Sequence, residues 1–431
     1  MNVRKLTVQS LMRCEEGAYS NLVQKKVLSE GEWTDRDRSF YTALFLGTLS
    51  RQISIDAMLD PFLRMGTAGL DPEIRNILRT GVYQIFWMDK VPVRAAISES
   101  VELCRTFKKR SASGMVNAVL RRVSDEDRDA VLSEGDGAHR LSRLYSVHLT
   151  LAEKLLEEYG EKAEDILRAT LMPEDIFVRV NTFRTDADQL IQSAPDVFSG
   201  TDIRNCLKVK GSIRDIRFHI ENGEVYVEGY PAQWAAAALD VLQGQKVLDL
   251  CSAPGGKTMC LAMAAGTDGA VTAVELYEHR ASLVRDLAGR LDAPNVDVVC
   301  CDGTGFHTAE RYDRVLCDVP CSGYGELASK PEMRAKEYRK DGTLSELQYR
   351  LLENGASLLK EGGKLVYSTC TLLKEENEEV VCAFLKNHPE FEWCPVQSAD
   401  LPDGVDFGSV REFIPEQSLP EGFYVACMRK I

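Results

Sequence analysis

The sequence predicts an α/β protein whose C-terminal half is a Rossmann-like, doubly wound parallel sheet, preceded by an all-α domain and a small α+β segment. Three observations carry this. Short apolar runs alternate with helical stretches after Gln233, apolar residues recur at helical spacing from Lys5 to about Val123, and the residues between mix both patterns. At 431 residues the chain has room for about three cores of roughly 150 residues each. The divisions predicted are 1–125, 145–235 and 236–431.

In the first division Tyr41, Leu44, Phe45, Thr48 and Leu49, and again Ile74, Ile77, Leu78, Val82 and Tyr83, fall on single helix faces. Breaks at Gly31, at Gly66 to Asp71 and at Val91-Pro92 give helices of ordinary length. Ser124 to Gly137 holds six Asp or Glu and two Gly, and reads as a linker or surface loop. The middle division opens with a helix from Leu151 to Tyr159 and the strand-like run Ile176 to Val180. A helix from Asp186 follows, then a hairpin of Ile216 to Ile220 and Val225 to Val227 around Asn222-Gly223. In the last division Val247 to Leu250, Ala270 to Val274, Val296 to Val299, Arg314 to Cys317 and Lys364 to Tyr367 are the sheet strands.

Composition excludes several classes. With 44% hydrophobic and 27% charged residues the chain is neither disordered nor fibrous. No apolar run approaches the roughly 18 residues that span a bilayer, and Met1 to Glu16 carries charges where a signal peptide is apolar, so a cytoplasmic protein without a membrane partner is expected. The 13 cysteines are spread from Cys14 to Cys427 and read as reduced thiols. Cys317 and Cys321 lack a second pair at ligand spacing, so no metal is expected. The net charge of −14 argues against coating nucleic acid by bulk electrostatics. Residues 1–123, however, hold 19 Lys or Arg against 13 Asp or Glu. A nucleic-acid substrate would meet its phosphate contacts there, with Arg36, Arg38, Arg105, Lys108, Lys109, Arg110, Arg121 and Arg122 as candidates.

Chemistry concentrates at the strand ends. The run Val247-Leu-Asp-Leu-Cys-Ser-Ala-Pro-Gly-Gly-Lys-Thr258 is a strand, a glycine turn and a helix start, which brings backbone amides up to a ligand. A phosphate loop needs Gly five positions before Gly256, where Cys251 stands, and Gly-x-Gly-x-x-Gly is absent. An S-adenosylmethionine turn remains, formed by Cys251, Ser252, Ala253, Pro254, Gly255, Gly256 and Lys257. Glu275, Asp302 and Asp318 then end successive strands beside it. Glu275 is placed for two ribose hydroxyls and Asp302 for an adenine edge, although each alone could equally cap a helix.

After the fourth strand comes Asp318-Val-Pro-Cys-Ser-Gly323, and the next strand ends in Ser368-Thr-Cys-Thr371. Amino-group methyltransferases place an aromatic after two prolines at the first of these sites. Cys321 in that place points to a different reaction. C5 of cytosine is too weak a nucleophile to take a methyl group until a thiolate has added at C6 and made C5 an enamine. A carboxyl group hydrogen-bonded at N3 helps the ring accept the thiolate, and Asp318 is placed for it.

These runs, together with Glu375-Glu-Asn-Glu-Glu-Val-Val381, resemble the motifs of the RNA cytosine-C5 methyltransferases of the Nol/Nop/Sun family. Asp35-Arg-Asp-Arg38, Gly81-Val-Tyr-Gln84, Val91-Pro-Val93 and Val116-Asn-Ala-Val-Leu-Arg-Arg122 resemble the NusB-like domain fused to the bacterial Fmu/Sun (RsmB-type) enzymes. The resemblance covers nearly the whole chain and implies an RNA-binding NusB-like domain, an intermediate RNA-binding segment and a catalytic domain. It implies S-adenosylmethionine as methyl donor and 16S ribosomal RNA as substrate, with no DNA partner and no oligomer indicated. It also implies that Cys370 attacks the base and Cys321 promotes product release. Ala335 and Glu416 stand where the family commonly has an aromatic residue and a His. Transfer RNA or large-subunit RNA as target, or a noncatalytic ribosome assembly factor, are the competing readings.

Overall fold

The computed structural model describes residues 2–431, and these divide into two compact units: the chain up to Met172 together with Glu326–Lys340, and Pro173–Gly325 together with Asp341–Ile431. Residues 145–172 thus belong with the helical unit, whereas the α+β segment that follows belongs with the large, mostly parallel sheet. No described helix is long and apolar enough to cross a membrane.

The first unit is all helical, its principal helices being Val3–Glu15, Asp35–Ser50, Pro72–Trp87, Val93–Thr106 and Ser113–Ser124. The periodic residues are the core, with Tyr41, Leu44, Phe45, Ile77, Leu78 and Val82 fully buried. Thr34 caps the second of these helices, its side chain accepting from the Asp37 amide. The acidic stretch after Ser124 is not a free linker. It contains a helical turn, Arg128–Leu132, that seats Leu132 in the same apolar cluster as Val8 and Leu120, while Arg128 donates to the Phe86 carbonyl at 3.0 Å. Its carboxylates are exposed, while Leu132 is buried and Val131 half-buried.

Glu326–Lys340, although late in sequence, is built into this helical unit. Glu332 takes the Ser20 amide (3.2 Å) and hydroxyl (2.6 Å) at the start of helix Ser20–Ser29. Arg334 is fully buried and donates to the carbonyls of Leu327, Tyr145 and Thr170. Burial, with Arg51 adding repulsion, pulls its pKa down to about 9. Ala335, the departure noted above, ends the helical turn Pro331–Ala335 that carries Arg334. Of the basic candidates, Arg36, Arg105, Lys108, Arg110, Arg121 and Arg122 are exposed. Arg105 pairs with Glu102 at 2.7 Å and Lys109 with Asp71 at 2.8 Å.

The second unit holds two sheets. The smaller is antiparallel, with β1 (Ile176–Val180), β2 (Phe198–Gly200), β3 (Cys206–Val209) and β4 (Val225–Val227) in the order β2-β3-β1-β4. The expected hairpin does not form. Residues Arg217–Glu221 are helical, because Ile216 and Ile220 lie four apart and both turn into the apolar cluster under this sheet. Gly223, at φ +68°, ends that helix, and β4 pairs instead with β1.

The larger sheet comprises β5 (Lys246–Asp249), β6 (Ala270–Glu275), β7 (Val296–Cys300), β8 (Tyr312–Asp318), β9 (Leu359–Thr369), β10 (Phe391–Trp393), β11 (Val410–Phe413) and β12 (Phe423–Lys430). Its order is β10-β12-β9-β8-β5-β6-β7, with β11 on β12. Five strands, β5 to β9, are parallel, and β12 runs against β9. All five predicted strands are present within a few residues of their expected bounds. Connections run to opposite sides of β5, so the order reverses there and a crevice opens at the carboxyl ends.

Candidate active site

Strand β5 delivers its chain into this crevice. The loop from Cys251 to Gly255 turns sharply, with Gly255 at φ +111°, and Gly256 starts helix Gly256–Ala265. A Cβ on Gly255 would also press within 3.3 Å of Val284 Cα, so Gly is required there on two counts. The turn is pinned from several sides. The Ser252 amide and hydroxyl both donate to the Val274 carbonyl (2.9 and 3.0 Å), and Thr258 Oγ1 donates to Asp249 Oδ2 (2.7 Å). Asp249 is buried, and desolvation, with Asp318 nearby, pushes its pKa up to about 7.

The three expected carboxylates do end successive strands. Glu275 closes β6 and grips the turn, accepting the Ala253 amide at 3.3 Å and the Tyr277 amide at 3.2 Å. Arg280 crosses to the Ala253 carbonyl at 3.0 Å and stands 3.6 Å from Glu275. Asp302 follows β7, is exposed, and caps a short helical turn by accepting from the Thr304 amide and hydroxyl, both at 2.8 Å. Those two bonds hold its pKa below the usual carboxylate range.

Asp318 ends β8 and is the centre of a charged group. Lys257, from the first turn of the glycine-loop helix, reaches its Oδ2 at 3.0 Å, and Ser368 Oγ donates to its Oδ1 at 2.7 Å. Burial works against the Lys257 charge, yet Asp318 and Glu228 together hold its pKa above the ordinary value. Glu228, half-buried just after β4, was absent from the sequence reading. Its Oε2 lies 1.6 Å from where a Cβ on Gly256 would sit, so only glycine admits it. Desolvation and the carboxylates Asp318 and Glu421 raise its pKa to about 7, against the pull of Lys257.

The two thiols meet. Asp318 pairs with Ser368 in the parallel register of β8 and β9, and the chains leave the sheet side by side. Cys321 is three residues beyond the one and Cys370 two beyond the other, and their sulfurs stand 3.2 Å apart, both half-buried. The neighbouring thiols differ. Cys251 and Cys317 have pKa values pushed well up, chiefly by burial, which keeps them protonated and unreactive. Glu416, the second departure noted above, sits in a turn bridged to Leu419, with Ser418 donating to it at 2.7 Å.

The geometry thus combines a glycine turn, acidic strand ends, a lysine–aspartate pair and two adjacent thiols. The sequence profile of the 16S rRNA methyltransferase RsmB/F family matches residues 236–429, and that of the NusB family matches residues 1–125. The protein of Bacillus subtilis (strain 168) named "Probable ribosomal RNA small subunit methyltransferase B" is 34% identical, covering 100% of this chain and 99% of its own. Ribosomal RNA small subunit methyltransferase B of Thermus thermophilus is 30% identical over 99% of this chain and 98% of its own. The crystal structure of PH0851 superposes with a TM-score of 0.82 at 24% identity, covering 100% of this chain and 99% of that one, a likeness of fold. With full-length relatives and matching profiles for both ends, the chain belongs to the 16S rRNA methyltransferase RsmB/F family, whose methyl donor is S-adenosylmethionine.

Proposed function

We propose that this protein methylates C5 of a specific cytosine in 16S ribosomal RNA through a covalent bond between Cys370 and C6. The observation that carries the reading is the pair of sulfurs 3.2 Å apart beside the Lys257–Asp318 pair. One thiol would suffice for packing; two in contact at strand ends, next to a held charge pair, match an addition and elimination on one ring.

The residues present fit the donor. S-adenosylmethionine offers ribose hydroxyls, an adenine edge and a cationic methionine end; the chain offers the Glu275 and Asp302 carboxylates, the glycine-turn amides and an acidic group at Asp318. Bound there, S-adenosylmethionine supplies an electrophilic methyl group. The Cys370 thiolate adds to C6, forming the C–S bond and moving the ring electrons toward C5 and N3. The Lys257 ammonium, held by Asp318, offsets that charge as the donor of a hydrogen bond at N3. C5 then takes the methyl group. Transfer of the C5 proton to a water molecule re-forms the C5–C6 double bond as the C–S electron pair leaves with the Cys370 sulfur, and Cys321, in contact with that sulfur, is the group that assists expulsion.

Two measurements test this reading. Nucleoside analysis of 16S RNA from cells with and without the gene should find one 5-methylcytosine present only with it. A methyl group on transfer RNA or large-subunit RNA, or none at all, would overturn the assignment. For the donor site, Glu275→Ala and Asp302→Ala should each weaken S-adenosylmethionine binding by roughly 1 to 3 kcal/mol in calorimetry. Carboxylates serving only as caps would lower the melting temperature and leave donor affinity at the wild-type value.

A further inference from the structure

The acidic motif Glu375-Glu-Asn-Glu-Glu-Val-Val381 follows closely on Cys370. Glu376 and Asn377 are nearly fully buried, at 2% exposure each, in a turn preceding helix Glu378–Asn387. Their side chains part to two different loops. Asn377 Oδ1 accepts from Thr369 Oγ1 at 2.5 Å, and its Nδ2 donates to the Thr371 carbonyl at 3.1 Å, so its amide grips the residues on either side of Cys370. Glu376 Oε2 accepts the Ser322 amide at 2.9 Å and Gln348 Nε2 at 2.9 Å, while the same Gln348 nitrogen donates to the Pro320 carbonyl at 2.9 Å. Those are the residues on either side of Cys321. Ser322 Oγ and Thr371 Oγ1, at 2.7 Å, join the loops directly, and Tyr367 OH holds the Glu376 carbonyl at 2.5 Å.

From this juxtaposition we infer that Glu376 and Asn377 are positioning residues, a two-residue brace that sets the distance between the Cys321 and Cys370 sulfurs. The inference rests on the roles proposed above for those thiols. A loop end without such bonds samples several rotamers and backbone positions, whereas a thiolate attacking C6 and a second thiol assisting its departure must each lie within a fraction of an ångström of the ring. Because the two side chains are consecutive on one rigid turn, neither loop can shift without straining the other. Chemistry also distinguishes the two. Glu376 acts only as an acceptor in these bonds, so an amide oxygen could replace it. Asn377 both accepts and donates, so a carboxylate could not.

The full-length variants Glu376→Gln, Glu376→Ala, Asn377→Asp and Asn377→Ala test this with two readouts. The first is bridging of Cys321 to Cys370 by dibromobimane, located by peptide mapping, which needs neither RNA nor donor. The second is methyl transfer resolved into kcat, KM for RNA and donor affinity. Asn377→Ala and Asn377→Asp should lower the bridging rate about tenfold and kcat by about 10²-fold, with donor affinity changed less than about twofold. Glu376→Ala should behave alike, and Glu376→Gln should recover most of both. Wild-type bridging and kcat in Asn377→Asp, or losses confined to the melting temperature, would overturn the brace. A wild-type protein that bridges readily yet leaves C5 of cytosine unmethylated would instead remove the reading on which the brace rests.

Discussion

Replacement of Cys370 by Ala is expected to abolish methyl transfer, by roughly 10⁴-fold or more, the scale seen when a covalent nucleophile is removed. The reason is electronic. Without a sulfur at C6 no enamine forms, and C5 stays a poor nucleophile however well the donor and base are held. The protein should otherwise be intact, because Cys370 is half-buried at a strand end and its carbonyl bond to the Gly325 amide, 2.9 Å, uses the backbone. Donor binding should therefore persist, and no protein–RNA adduct should appear on a denaturing gel. Residual turnover near the wild-type rate in Cys370→Ala would exclude it as the nucleophile.

Cys321→Ala should fail in a different way. Cys370 can still add and C5 can still take the methyl group, but the thiol beside it no longer assists elimination. Turnover should fall as far as in the first variant, while a covalent species accumulates to about one per active enzyme, the mark of a cycle stopped after its covalent step. The two sulfurs, 3.2 Å apart, thus give opposite phenotypes on the gel. Adduct in Cys370→Ala and none in Cys321→Ala would exchange their roles. Activity kept in both variants would return both thiols to packing.

Much of this was legible in the sequence because strands and turns leave local signals. Apolar runs of four or five residues bounded by glycine and acidic residues placed β5 to β9, and the strand–glycine–helix run from Val247 to Thr258 placed the sharp turn after β5. The helix faces of the first unit were equally clear, since Leu44, Phe45 and Leu49 recur at helical spacing and are buried as expected. The errors have physical causes. Asn222-Gly223 is a hairpin signal only if the residues before it alternate, and Ile216 and Ile220 repeat every four. The acidic stretch after Ser124 hid Leu132, one apolar residue whose seat depends on a surface that includes helix Gln52–Leu59, far earlier in the chain. Glu228 carried no motif, lying some 30 residues before Lys257 and brought to Gly256 only by the way β4 leads into the next helix. Ser368 was visible inside its motif, but its bond to Asp318 follows from the β8–β9 register, which no local pattern encodes.

The most direct test of the covalent mechanism uses the wild-type protein with 16S RNA whose cytosines carry fluorine at C5. After sulfur addition and methyl transfer there is no C5 proton to lose, so elimination is blocked and the thioether persists. Digestion and mass spectrometry of the product should find the methylated fluoropyrimidine on the peptide containing Cys370, in a donor-dependent yield. A nucleotide on the Cys321 peptide, or normal RNA methylation with no adduct from the fluorinated substrate, would contradict attack by Cys370 at C6.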